Sequence, residues 1–432
     1  MPQPVPAPPI AEGVGLPWDV PVTDAVAVLA EGRRCHGDTF AVESGGEHYL
    51  FTFSPVGVAS FYALPEEQAS KGLADYVMLR RKLPDELFDG RRTLPGDLFR
   101  REDVDSYLSN LAEGLDRATA ELGETGSCDV FDLARRLAHR MGLASWAGAE
   151  SADGTSFEQL VAAFDVLDGA EAFVHPDRMA AVAASGKCAE REALQVVVDV
   201  VGAADTDVPG LFGRIAAAWS GEAPENRRRG IGYDVALIHI ASMSNLAAAL
   251  GWVLVDLLAH PVELRRVVDR DDDLARRCAL ESTRLAQRSI MSRSVLTAVR
   301  LNTGAVTYEV PPGWTIATLL PLLNTSAAPG LDRWDPDRWR GHRLRDPELA
   351  SPMLVTAFGH GRHTCPAQSF SLSAMTLAAQ RLLGRYEMTP RWTARPQPVA
   401  AQIGGVARAQ EVCLIDYRVR TTHLQTFTTE LL

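Results

Sequence analysis

Cysteine is scarce in this 432-residue sequence. Six are present, Cys35, Cys128, Cys188, Cys278, Cys365 and Cys413, and no two form a CxxC pair. That pattern excludes a disulfide framework and a structural zinc site, and it fits a reducing cytoplasm. An excess of positive charge is also missing: 43 Lys and Arg stand against 55 Asp and Glu, a formal net charge of −12. Phosphate binding needs a basic face, so no nucleic-acid partner is expected. The opening MPQPVPAPPIAEG has no apolar run and reads as neither a secretion signal nor a membrane anchor. No internal repeat appears, and no linker has the composition of a hinge.

One long uncharged run exists. Between Asp234 and Asp256 lie the 21 residues VALIHIASMSNLAAALGWVLV. By length they match a bilayer span. His239, Ser242, Ser244 and Asn245 interrupt the middle, however, and no basic flank fixes an orientation. The run is expected to be a buried central helix. Composition otherwise is that of a soluble globular chain, 46% hydrophobic and 23% charged. A chain of this length buries a core large enough to enclose a cofactor together with a substrate.

Hydrophobic periodicity predicts helices over 21–32, 102–122, 129–147, 155–170, 189–203, 208–219, 233–260, 262–288 and 366–386. Residues 48–64 read as a short strand leading into a helix. AVTYEVPPGWTIAT, 305–318, reads as a hairpin turned at Pro311-Pro312-Gly313. The expected organisation is an extended tail over 1–16, then one mainly α domain with small β-sheets over 17–432. Arg227-Arg228-Arg229 reads as a solvated turn before the central helix.

Three motifs carry chemistry. Phe358-Gly359-His360-Gly361-Arg362-His363-Thr364-Cys365-Pro366-Ala367 is a glycine loop ending in a cysteine at the start of a helix. Glycines let backbone pass close to a flat ligand, and a helix N-terminus favours a thiolate, which can bind heme iron. Alone, such a string is more often a buried structural cysteine after a loop. Upstream, Glu281-Ser282-Thr283-Arg284 places a carboxylate and a guanidinium on one helix face. Between the two, Trp334-Asp335-Pro336-Asp337-Arg338-Trp339 holds an arginine among aromatics, so Arg338 can complete a buried network with Glu281 and Arg284. Such a network makes sense buried only if every partner is satisfied.

In this order the three motifs resemble those of the cytochrome P-450 superfamily, over roughly residues 230–390. The resemblance implies that fold, and heme b held by Cys365 as the axial ligand to iron. It further implies His363 and Arg293 on the heme propionates, Phe358 shielding the thiolate, and Gly359 and Ala241 among the cofactor-binding residues. Arg91, Arg92, Arg100 and Arg101 are candidates for a further propionate contact. Ala367 stands where the family has glycine.

The family's central helix carries Ala/Gly-Gly-x-Asp/Glu-Thr above the heme. The matched residues here are Ala241-Ser242-Met243-Ser244-Asn245, so Ser244 replaces the acid and Asn245 the alcohol. An amide hydrogen-bonds but does not titrate near neutrality, which makes it a poor proton relay. Redox-neutral chemistry on an activated substrate is therefore expected, with Asn245 orienting a leaving group. N–O or O–O cleavage leading to nitrene-type transfer, cyclisation, isomerisation or dehydration belongs to this class. The alternative is an O2-dependent monooxygenase fed by ferredoxin and a reductase; a non-catalytic partner protein is a third reading. The substrate is expected to be an apolar small molecule, and the setting a soluble, monomeric, bacterial enzyme of natural-product biosynthesis. His239 reads as a satisfied core residue, and His360 is not assigned a role.

Overall fold

The computed structural model describes residues 6–90, 92, 99–344 and 346–420. It is mainly α with small β-sheets. In chain order the first elements are α1 (Ala25–His36), β1 (Thr39–Ser44), β2 (Glu47–Thr52), α2 (Pro55–Ala63), β3 (Ala69–Ser70) and α3 (Lys71–Leu79). Then come α4 (Arg101–Leu122), β4 (Thr125–Asp129), α5 (Val130–Trp146), α6 (Gly154–Asp168), α7 (Pro176–Ala184), α8 (Cys188–Val201) and α9 (Leu211–Ala218). The second half holds α10 (Pro224–Ala259), α11 (Pro261–Val268), α12 (Asp272–Ala286), β5 (Ile290–Val295), β6 (Val299–Asn302), β7 (Thr307–Val310) and β8 (Thr315–Leu319). It closes with α13 (Leu320–Ser326), α14 (Gln368–Arg385), β9 (Tyr386–Pro390) and β10 (Leu414–Val419).

The helices pack around α10, and one large apolar cluster joins side chains of α4, α5, α6, α8, α10, α12 and α14. Among the described residues α10 is the one helix long and apolar enough to cross a membrane, and 72% of its most apolar stretch is buried inside the protein. That is the behaviour of a core helix, apolar all round because other helices cover it. Local signals set the helix ends. Asp129 accepts backbone N–H groups of Phe131 and Asp132 at 2.8 and 2.9 Å to start α5, and Asp271 accepts from Leu274 at 3.0 Å to start α12.

Strands form a five-stranded sheet, β1-β2-β8-β5-β3, a three-stranded sheet, β4-β10-β9, and the pair β6-β7. A second apolar cluster lies against β1, β2 and β8. Four expectations change. The hairpin over 305–318 does not form. Instead β7 pairs with β6 around a turn at Thr303-Gly304, while β8 pairs with β2 and β5. Pro311-Pro312-Gly313 is a crossing between sheets: neither proline has an N–H to close a ladder, and the Gly313 N–H goes to Val295. The basic run Arg227-Arg228-Arg229 lies inside the first turns of α10, which begins at Pro224, a residue pre-set for a helix start. The pattern over 262–288 breaks into α11 and α12 where Arg270 adopts positive φ and Asp271 caps a new helix. The stretch expected as a tail over 1–16 is extended where described, but it is not detached. Ala11 and Ala41 exchange backbone hydrogen bonds with their neighbours across the gap, and Leu16 is fully buried.

Candidate active site

Glu281 and Arg284, three apart on α12, form a two-pronged pair at 2.6 and 2.8 Å, and both are fully buried. Two ions removed from water need every remaining donor and acceptor satisfied. Arg284 also donates to the Leu331 carbonyl at 2.7 Å and to that of Asn324. Glu281 accepts from the Trp339 indole at 2.9 Å and from the Asp335 N–H at 3.0 Å. Arg338 joins more loosely, 3.7 Å from Glu281, and donates to the Gly330 carbonyl at 2.6 Å.

The network continues to the cysteine. Asn324 donates to the carbonyls of Arg284 and Thr356 at 3.0 and 2.9 Å and accepts the Thr356 N–H at 2.9 Å. Thr356 in turn donates to the Gly359 carbonyl at 3.0 Å and accepts the Phe358 N–H at 3.1 Å. The loop then closes on itself through Cys365 N–H to the Phe358 carbonyl, 2.7 Å. Gly359 has φ +81°, and a Cβ there would collide with the His363 carbonyl, so only glycine fits this turn. Cys365 is part-buried; burial raises its thiol pKa, and a hydrogen bond from the Ala367 backbone works the other way. The loop therefore presents one sulfur with one donor aimed at it.

Arg293, on β5, is 1% exposed. It is held by the carbonyls of Ala69 at 2.7 Å and Phe61 at 3.4 Å, and by Glu66 at 3.2 Å. Its Nη1 lies 3.0 Å from His363 Nε2. Burial and then the Arg293 charge lower the His363 pKa. The Tyr62 hydroxyl and His360 Nε2 are buried without a partner close by, with Tyr62 edge-on to His360 at 5.4 Å and 5.9 Å from His363. A guanidinium, an imidazole and two unsatisfied polar atoms around one spot fit the carboxylates of an anionic ligand. These residues fit heme at its propionate edge. Arg91 lies outside the described residues. Arg92 is engaged with the Ala218 carbonyl, Glu222 and the face of Trp219.

The second group sits on α10. That helix is buried almost continuously from Gly230 to Leu257, except around Ala241, Ser242, Ser244 and Asn245. Ala241 is exposed and Ser244 and Asn245 are part-exposed; at spacings of three and four they share one face. This exposure interrupts an otherwise buried core helix.

The Asn245 carbonyl oxygen accepts the Val406 N–H at 2.8 Å, and a Cβ on Gly405 would collide with that oxygen. Because the partner is a donor, the amide orientation is fixed. Asn245 thus clamps the Gly404-Gly405-Val406 turn onto α10 through its oxygen. Asp168 is the last residue of α6. Burial pushes its pKa up to about 7, with the nearby Ser244 hydroxyl and the Lys82 charge pulling down. Lys82, 3% exposed, donates to the carbonyls of Val166, Leu167 and Gly169 at 2.5, 3.1 and 3.0 Å. Desolvation lowers its pKa to about 8.

His239 is a satisfied core residue. It lies 2.7 Å from His139, accepts from the Trp146 indole at 3.2 Å, and stacks on Phe164 at 4.0 Å. Sequence reasoning passed over Asn324, Thr356, Tyr62, Lys82 and Asp168. Asp168 is separated from Ser244 by 76 positions and sits in no motif.

No family model matches the chain. Human 24-hydroxycholesterol 7-alpha-hydroxylase is 24% identical over 204 residues, 42% of each chain. The mouse protein of the same name is 26% identical over the same share. The chain thus aligns with less than half the length of these curated relatives. Two solved structures match almost throughout. The retinoic-acid-bound cyanobacterial CYP120A1 has a TM-score of 0.72 at 15% identity, covering 96% of this chain and all of that one. The heme domain of cytochrome P450DA has 0.70 at 18%, covering 96% and 98%. The fold is that of the cytochrome P450s, and the chain resembles that superfamily.

Proposed function

We propose that this protein is a heme-thiolate enzyme acting on an apolar small molecule, in which Cys365 would supply the thiolate that binds the iron of heme b. The observation that carries this reading is the convergence of Arg293, His363, His360 and Tyr62 beside the loop that presents the Cys365 sulfur. When bound, the heme supplies an iron made electron-rich by the thiolate, able to cleave an N–O or O–O bond. The chain's own residues do the rest. Arg293 and His363 would hold the propionates. Phe358, whose carbonyl accepts the Cys365 N–H at 2.7 Å, would shield the thiolate, and the Ala367 N–H would temper its charge. Ala241, with only a methyl group, would leave space for heme and substrate.

Redox-neutral cleavage of an activated N–O or O–O bond is the chemistry favoured. Asn245 stands where the family has a hydroxyl, and its amide is tied to Val406 and does not titrate. The second reading is monooxygenation with ferredoxin and a reductase, favoured by the likeness to 24-hydroxycholesterol 7-alpha-hydroxylase. Purified protein is reduced under carbon monoxide, which gives the strongly red-shifted band of a thiolate-bound heme if Cys365 is the ligand; Cys365→Ala lacks it. Turnover of an O-acyl hydroxylamine or cumene hydroperoxide under nitrogen, without reductant, supports the redox-neutral reading. Strict dependence on oxygen, NAD(P)H and ferredoxin replaces it with monooxygenation.

A further inference from the structure

Arg293 is balanced in charge before any ligand reaches it. A guanidinium has five N–H donors, and four of these are in use. Nε–H goes to the Ala69 carbonyl at 2.7 Å, Nη1 to the Phe61 carbonyl at 3.4 Å and to His363 Nε2 at 3.0 Å, and Nη2 to Glu66 at 3.2 Å. One N–H is left, on Nη2, the nitrogen that Glu66 already holds. Position and charge come from different groups. The two carbonyls belong to α2 and β3, and β3 is paired with β5 through Ala69 with Val295 and Ser70 with Ser294. They fix the guanidinium whatever stands at position 66. Among the described residues only Glu66 brings a carboxylate within 4.0 Å of it, while Glu67 and Arg362 act from further out. Glu66 is itself held in place. Its Oε1 accepts the Ser70 hydroxyl at 2.7 Å and the Gly72 N–H at 3.1 Å, at the start of α3. Burial raises its pKa, but these hydrogen bonds and the Arg293 charge outweigh burial and hold the carboxyl below its ordinary value. Its side chain is 49% exposed, so salt reaches it.

We propose that Glu66 is a charge counterweight to Arg293, a positioning residue that acts through Arg293 Nη2 and so sets how firmly heme is kept and how easily its iron is reduced. With the other contacts kept, a propionate on Arg293 shares Nη2 with the Glu66 carboxylate, and two carboxylates at one site repel. Arg293 and Glu66 together carry no net charge, so the propionate meets a dipole where Arg293 alone would offer a cation. Reduction of the iron adds an electron, which a nearby negative charge disfavours. Both effects have one origin, the single charge at position 66, and neither needs the backbone around Arg293 to move. The inference rests on the heme-thiolate reading for the identity of the carboxylate beside Arg293.

The test uses heme-loaded protein, wild type, Glu66→Gln and Ser70→Ala. Glu66→Gln keeps an oxygen for the Gly72 N–H and removes the charge. Ser70→Ala removes a hydroxyl from the far side of Glu66 and leaves the charge. Heme loss is followed by transfer to excess apomyoglobin, and the ferric–ferrous midpoint by spectroelectrochemical titration. Glu66→Gln should lose heme about fivefold more slowly at low salt, and its midpoint should move positive. Both differences should shrink in about 1 M salt, where screening acts within a few ångströms. Ser70→Ala should keep the wild-type midpoint. A residue that merely supports the fold gives the opposite sign, since its loss speeds heme release. Faster release from Glu66→Gln, a midpoint moved negative, or either quantity unchanged overturns the proposal. So does Ser70→Ala reproducing both changes, because the shape of the turn and not the charge is then responsible. Failure of the heme-thiolate reading is separately visible, as a reduced, carbon-monoxide-treated wild type without the thiolate-type band.

Discussion

Asn245 and Ser244 are adjacent, yet geometry treats them differently. The Asn245 oxygen is committed to a backbone N–H, while Ser244 is part-exposed on the same helix. A short apolar residue at 245 leaves the part-buried Val406 N–H without its acceptor. Asn245→Ala is therefore expected to lose about 1–2 kcal/mol in denaturant melts, whereas Asn245→Asp, which keeps an acceptor oxygen there, should lose less. Equal losses would mean that the clamp on Val406 is not what Asn245 provides. The Glu281–Arg284 pair is a harsher case. Removing one charge strands the other among groups arranged for a pair, a cost of about 3–5 kcal/mol. Glu281→Gln should thus yield little folded, heme-loaded protein, read by absorbance of bound heme per milligram after purification. Undiminished heme loading would show that the ion pair is not needed to hold the cysteine loop.

At the scale of elements, Lys82 is the hinge pin of α6. Lys82→Met keeps most of the stem's bulk and removes the donor from three carbonyls. Amides of the last turn of α6 should then exchange with solvent markedly faster, while those of α5 stay protected. Hydrogen-exchange mass spectrometry separates the two, and unchanged protection at 164–169 would count against the cap. This contact also explains what the sequence hid. Glu281, Arg284, Phe358, Gly359 and Cys365 were legible because each motif lies within ten consecutive residues, where spacing alone specifies geometry. The long helices were legible for the same reason, and α10 only mistook its own start. Asp168, Lys82, Asn324 and Tyr62 act across separations that only tertiary packing creates, and nothing in their neighbours distinguishes them. The misplaced hairpin has that origin too. Pro311-Pro312-Gly313 marks a turn, but whether two strands pair across it depended on β2, 260 positions away and already waiting for β8.

The molecule as a whole balances buried titratable groups of opposite sign, and this balance sets how its stability responds to acid. Burial holds His139 near 3 and His239 well below its usual range. Unfolded, each takes up a proton as the pH drops below 6.5, the ordinary value. Folded, neither does, so the stability they confer is present above that pH and lost as the pH falls. Asp168 works the other way: folded it is protonated below about 7, unfolded only below 3.8. Its contribution is present in acid and lost as the pH rises through 7. Each group weighs about 1.4 kcal/mol per pH unit. Between pH 6 and 5 the two histidines outweigh the one carboxyl, so these three groups together should lower wild-type stability by about 1.4 kcal/mol over that unit. Asp168→Asn removes the compensating group and should steepen the slope by about 1.4 kcal/mol per pH unit. His139→Gln keeps an acceptor for His239, removes one histidine, and should make the slope shallower by about the same amount. Denaturant melts of the three proteins at pH 5.0, 5.5 and 6.0 measure these slopes directly. Parallel slopes would mean that these groups titrate alike in the folded and unfolded chains, and that neither the Asp168 carboxyl nor the two histidines are shielded from water.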